Sequence, residues 1–167
     1  MSIADSVTNE SADLAAAPLT GVARQLLRSA VSLQAEDVLR TIGAMAQEQR
    51  DVREWAPLVE RDARDLALLA AVAVEVGARL PAGLDGGIGD PDDPGSVMEG
   101  LLASHEALMN VLGELVATCA DPKVVRVVGE VLERRQEQAT VMRALGAGAG
   151  LPAEQRFVHG SFSKYEA

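Results

Sequence analysis

Residues 57–80 read PLVERDARDLALLAAVAVEVGARL. Val59, Leu66, Leu69, Ala73 and Val76 recur at helical spacing while Glu60, Arg61, Arg64, Glu75 and Arg79 take the other side, so the stretch predicts an amphipathic helix. Pro57 suits a first helical turn, where its missing N–H costs nothing, and this sets the expected start just after Trp55 and Ala56. One residue breaks the pattern. Asp62 falls inside the apolar arc, with Asp65 flanking it three residues on. A carboxyl group in a helical core is costly unless hydrogen-bonded, so its partners are to be sought elsewhere in the chain.

Three more helices follow from the same periodicity. From Thr20 past Gln47, residues Leu27, Val31, Val38, Ile42 and Met45 fall on one side together with Gln34 and Gln49. Glu36 and Glu48 lie off that face, so the negative charges of this helix are expected in solvent. Ser96, with Glu99 three residues later, predicts the N-cap of a helix that buries Met98, Leu101, Leu102, Leu108, Met109, Leu112, Leu115, Val116 and Cys119. His105 sits in that arc, and Glu99, Glu106 and Asn110 point away. Asp121 and Pro122 predict the start of a helix burying Val124, Val128, Val131, Leu132, Ala139, Met142 and Leu145. Arg135 lies at the centre of its stripe with Gln138 beside it, and the GAGAG run from Gly146 is expected to end it.

Each helix thus places a polar residue mid-stripe: Gln34, Asp62, His105 and Arg135. The separations are 28 residues from Gln34 to Asp62 and 30 from His105 to Arg135, as for two similar hairpins facing one another across a core. Between the hairpins lies PAGLDGGIGDPDDPGS, residues 81–96, whose Gly, Pro and Asp content forbids regular structure. Sixteen extended residues reach about 50 Å, and a 24-residue helix is about 36 Å long. Such a loop can cross the whole bundle. The fold class expected is therefore all-α: two antiparallel hairpins joined by a long crossover loop. The expected divisions are a disordered segment at 1–19, the bundle at 20–146, and a linker with an aromatic tail at 147–167.

Composition agrees with one helical domain. Of 167 residues 48% are hydrophobic, yet only Trp55, Phe157, Phe162 and Tyr165 are aromatic, a balance that suits closely packed helices better than sheets. The formal charge of −10, with no basic run on one helix face, excludes nucleic-acid binding. A single cysteine, no secretion signal, and a longest apolar stretch of Leu66 to Val76 interrupted by Glu75 point to a cytoplasmic protein that does not span a membrane.

Over residues 20–146 the hairpin spacing, inward phase and crossover resemble the ferritin-like carboxylate proteins, the superfamily of ferritins and rubrerythrins. Those proteins use a Glu on one helix of each pair and a Glu-x-x-His on the other to bind two metal ions. In that resemblance Gln34 stands at the first lone Glu, and Asp62 with Asp65 at the first Glu-x-x-His. His105 stands at the second lone Glu, and Arg135 with Gln138 at the second Glu-x-x-His. Every ligand position departs from the family pattern. A guanidinium is permanently charged and opposes a dimetal cluster, so Arg135 is expected to replace the metals by gripping Asp62, with Gln34, Asp65, His105 and Gln138 completing a core polar network. No cofactor is expected.

Plainer readings stand beside this one. A lone His105 is more often a satisfied core histidine than a ligand, Asp62 reaches the surface if its helix turns by a third of a turn, and Arg135 can bury its stem with its head in water. Cys119 has no base beside it and suits a small core hydrophobe. The stretch from Asp90 to Asp93 lacks the ligand spacing of a calcium loop. Phe157, Phe162 and Tyr165 crowd the tail, where they either fold back on the bundle or dock on a protein partner. The function this implies is a non-catalytic helical bundle acting through protein–protein interaction or assembly, as a homodimer or higher homo-oligomer. The alternatives are a ferritin-like metal-dependent oxidoreductase using Asp62, Asp65 and His105, and a binder of a small acidic ligand held by Arg135 and His105.

Overall fold

The structure, a computed structural model, describes residues 19–47, 52–82 and 94–149. It is an all-α bundle of four helices: α1 (Gly21–Gln47), α2 (Val52–Glu75), α3 (Pro94–Thr118) and α4 (Pro122–Ala149), with no strand among the described residues. None of these helices is long and apolar enough to cross a membrane.

The buried stripes follow a strict alternation of three and four residues. On α1 it runs Ala23, Leu27, Ala30, Gln34, Asp37, Thr41, Ala44, and on α2 Trp55, Leu58, Asp62, Asp65, Leu69, Val72. The α3 stripe contains Leu101, His105, Leu108, Leu112 and Leu115, and that of α4 Val124, Val128, Val131, Arg135, Gln138 and Met142. A heptad repeat of this kind keeps one seam inward along helices that wind gently round each other. It also corrects the expected α1 face. Plotted at about 3.6 residues per turn, Val38 and Ile42 appear central, but the heptad seam drifts by roughly 20° per seven residues from that projection. By the C-terminal half of α1 the true seam is Asp37, Thr41 and Ala44, and Ile42 is 39% exposed.

Two apolar clusters fill the interior. One joins Ala23, Leu27 and Ala30 to Leu69 and Val72, Leu112 and Leu115, and Val124 and Val128; the other joins Ala44 to Trp55 and Leu58, Leu101, and Met142. The start of α1 therefore lies with the ends of α2 and α3 and the start of α4, so α1 and α4 run one way and α2 and α3 the other. Packing links α1 to α2 and α3, and α4 to α3 and α2, leaving α1/α4 and α2/α3 on the diagonals.

Helix ends differ from expectation in four places. α2 begins at Val52, ahead of the expected break, and contains Pro57; burial of Trp55 to 1% exposure in the second cluster draws the preceding turn into the helix. α2 ends at Glu75 and not near Leu80, because Gly77 takes φ 69°. That left-handed step lets Gly77 N–H donate to Val74 C=O at 3.0 Å and Ala78 N–H to Ala73 C=O at 2.8 Å, closing the helix. α3 begins at Pro94, so Ser96 lies inside it and does not cap it; proline favours the first helical position. α4 continues through Gly146 and Gly148 to Ala149, the glycine cost of about 1 kcal/mol each being too small to stop it. The expected cap Asp121 is in place, its Oδ1 accepting from the Lys123 and Val124 N–H groups at 2.9 and 3.1 Å, and Thr20, expected only as the start of the helical pattern, caps α1, its Oγ1 accepting from Ala23 N–H at 3.1 Å. Gln49, the connection at 83–93, and the tail with Phe157, Phe162 and Tyr165 lie outside the described residues.

Candidate functional site

Between the two apolar clusters the seam turns polar on all four helices. Gln34, Asp37, Thr41, Asp62, Asp65, Ser104, His105, Arg135 and Gln138 are all buried there. All six residues singled out from the sequence, Gln34, Asp62, Asp65, His105, Arg135 and Gln138, lie at this level.

Arg135 is its centre, with no exposed surface. Its Nη1 donates to Asp37 Oδ2 at 3.1 Å and its Nη2 lies 3.1 Å from Asp62 Oδ1. Asp62 thus shares the guanidinium with Asp37, a residue the reading of α1 had sent to solvent. Gln138 Nε2 donates to Asp62 Oδ1 at 3.2 Å, and Gln34 Nε2 to the backbone carbonyl of Asp62 at 2.8 Å. Thr41 Oγ1 stands 2.8 Å from Asp37 C=O and 3.0 Å from Asp62 Oδ2. Asp65 does not join this set. It faces α4 one residue earlier, where Arg134 Nε donates to its Oδ1 at 2.9 Å.

His105 has both ring nitrogens engaged with one residue. Nε2 is 2.9 Å from Arg135 C=O, which can only accept, and Nδ1 is 3.2 Å from Arg135 Nη1, which can only donate. These partners assign the proton to Nε2 and leave Nδ1 as the acceptor. The 3.7 Å approach of Nδ1 to Asp37 Oδ2 is then no ion pair. His105 thereby holds Nη1, the guanidinium nitrogen that also donates to Asp37, while Nη2 faces Asp62. It is a core histidine satisfied by its neighbours.

Burial raises the Asp62 carboxyl above the usual carboxylate range, and Asp37 adds to the rise, against the opposing pull of Arg135, Gln138 and Thr41. The sign has a plain cause. Removing the carboxylate from water costs more than its contacts with Arg135, Gln138 and Thr41 return. Several buried atoms keep no partner among the described residues, including Gln34 Oε1, Asp37 Oδ1 and Gln138 Oε1.

This constellation does not fit a dimetal centre. The guanidinium occupies the space between Asp37 and Asp62, His105 offers its acceptor nitrogen to Arg135, and Asp65 turns to Arg134. No group of three His, Cys, Asp or Glu among the described residues is arranged to hold a metal ion. Asp37, Thr41 and Arg134 escaped the sequence reading. For Asp37 and Thr41 the signal was present as the step of three and four from Leu27 through Ala30 and Gln34, whereas the pairing of Asp65 with Arg134 left no trace in spacing.

Comparison with known proteins returns no match, whether to a protein-family model, a curated protein or a solved structure. The functional reading therefore rests on the residues themselves.

Proposed function

We propose that this chain is a non-catalytic, ferritin-like bundle of the cytoplasm that acts through protein–protein contact and self-association, its core network serving only to fix the packing. The observation that carries this reading is Arg135, buried between Asp37 and Asp62 where a dimetal protein would place its ions. In the same reading residues 76–93 form the crossover, since α2 ends beside the first apolar cluster and α3 begins beside the second. Eighteen extended residues span about 60 Å, more than a bundle of this helix length requires.

Self-association is favoured by a second seam on α1. Ala35, Leu39, Ile42 and Ala46 repeat at steps of four, three and four, carry no charge, and include Leu39 and Ile42 at 36% and 39% exposure. Such a seam pairs with its own copy about a two-fold axis. The tail aromatics Phe157, Phe162 and Tyr165 supply a second, heterologous anchor. Sedimentation across a concentration series, with metal analysis of the same preparation, tests both halves. The expected result is a dimer or larger species with substoichiometric metal, converted to monomer by Leu39→Lys with Ile42→Lys at unchanged helicity. A monomer at every concentration would sink the association, and two transition-metal ions per chain would restore the oxidoreductase. Deleting residues 151–167 should leave helicity intact while removing any contact the tail makes.

A further inference from the structure

Where α1 starts and α2 stops, the bundle end carries a cleft of about 280 Å³ lined by Gly21, Arg24, Gln25 and Arg28 of α1 and by Gly77 and Arg79 of the turn that closes α2. Three arginines line it in a chain of formal charge −10. None of the three has an ion pair among the described residues, although Glu75 close by on α2 pairs with Lys123. Arg24 and Arg28 are also one turn apart on the same helix, a spacing at which like charges repel. Gly77 is what brings Arg79 to them, because its positive φ turns the chain back across the start of α1. The α1 terminus adds to the same field. Thr20 takes up the N–H groups of Ala23 and Arg24, leaving those of Gly21 and Val22 at the positive end of the helix. A Cβ built on Gly21 or Gly77 would meet nothing within 4 Å, so both lining glycines leave the space open.

We propose that this cleft binds a phosphate group, as inorganic phosphate or a compact soluble phosphate monoester, gripped by Arg24, Arg28 and Arg79. Paired forks match the oxygen geometry of a phosphate, and an anion relieves the mutual repulsion of the three cations. The volume admits a phosphate with a small substituent. The site is remote from the α1 seam, so its occupancy and the proposed association can fail separately.

Calorimetric titration of inorganic phosphate into the full chain at low salt tests the proposal. Saturable binding at one site per chain is expected, weakened about 10- to 100-fold by Arg24→Gln and again by Arg79→Gln, as for loss of a charge-assisted hydrogen bond. Arg126→Gln, on α4 at the same end but outside the cleft, should leave it unchanged. All three side chains are exposed, and unliganded melting should be the same in every variant. Phosphate also raises melting temperature non-specifically by exclusion from protein surface. Only the increment lost in the arginine variants counts as binding. Non-saturable heats, or equal binding by wild type and both arginine variants, would overturn the site. Arginine-dependent capture by phosphatidylglycerol vesicles without binding of free phosphate would overturn it in favour of a lipid-facing patch.

Discussion

Replacing Asp62 by Asn isolates the charge of one buried carboxyl while preserving its shape. The amide oxygen still accepts from Gln138 and faces Arg135, as Oδ1 does now at 3.2 and 3.1 Å. The amide nitrogen takes the place of Oδ2, 3.0 Å from Thr41 Oγ1, which can accept from it while donating to Asp37 C=O. Arg135 keeps Asp37 as its counter-charge. Because burial raises the Asp62 pKa above 3.8, the folded state retains a proton that the unfolded chain releases. The stability so gained is complete below pH 3.8 and is lost as pH rises towards the folded-state value. Relative to Asp62→Asn, the wild type should therefore lose stability with rising pH, by at most about 1.4 kcal/mol per pH unit within that window. At neutral pH the Asn variant is expected to match or exceed the wild type. Asp62→Ala, which removes the contacts to Thr41, Gln138 and Arg135 together, should cost about 2–4 kcal/mol, taking roughly 1 kcal/mol for each. Urea unfolding followed by far-ultraviolet circular dichroism at a series of pH values measures all three proteins. If the wild type gains on Asp62→Asn as pH rises above 4, attraction to Arg135 outweighs burial and the sign argued here is wrong.

Three further outcomes follow from the packing. Arg135→Met should destabilise by about 3–5 kcal/mol, since it strands Asp37 and Asp62 in the core, whereas adding Asp37→Leu and Asp62→Leu to it should recover most of that loss in denaturant melts. Asp121→Ala, which uncaps two N–H groups at the start of α4, should lower stability by about 0.5–2 kcal/mol in the same assay. Gly129→Ala, at a mid-helix position where a Cβ meets nothing within 4 Å, should raise thermal stability by about 0.5–1 kcal/mol.

By itself the sequence determined what local chemistry controls. Periodicity located four helices, Thr20 and the Asp121–Pro122 pair marked two of their starts, and the polar interruptions at Gln34, Asp62, His105 and Arg135 announced a polar level, because each is a departure from an apolar repeat visible within a few turns. Tertiary structure decided the partners. Asp37 reached Arg135 because neighbouring helices hold α1 to a heptad seam, and a projection at the free-helix period turns that residue outward by its fourth turn. Asp65 pairs with Arg134 and not with the central cluster, a contact between α2 and α4 that no spacing along one chain encodes. One helix end shifted for the same reason: burial of Trp55 extended α2 backward past its proline. The convergence of Arg24, Arg28 and Arg79 likewise joins residues from two helices and the turn at Gly77, a meeting that exists only once the bundle has closed.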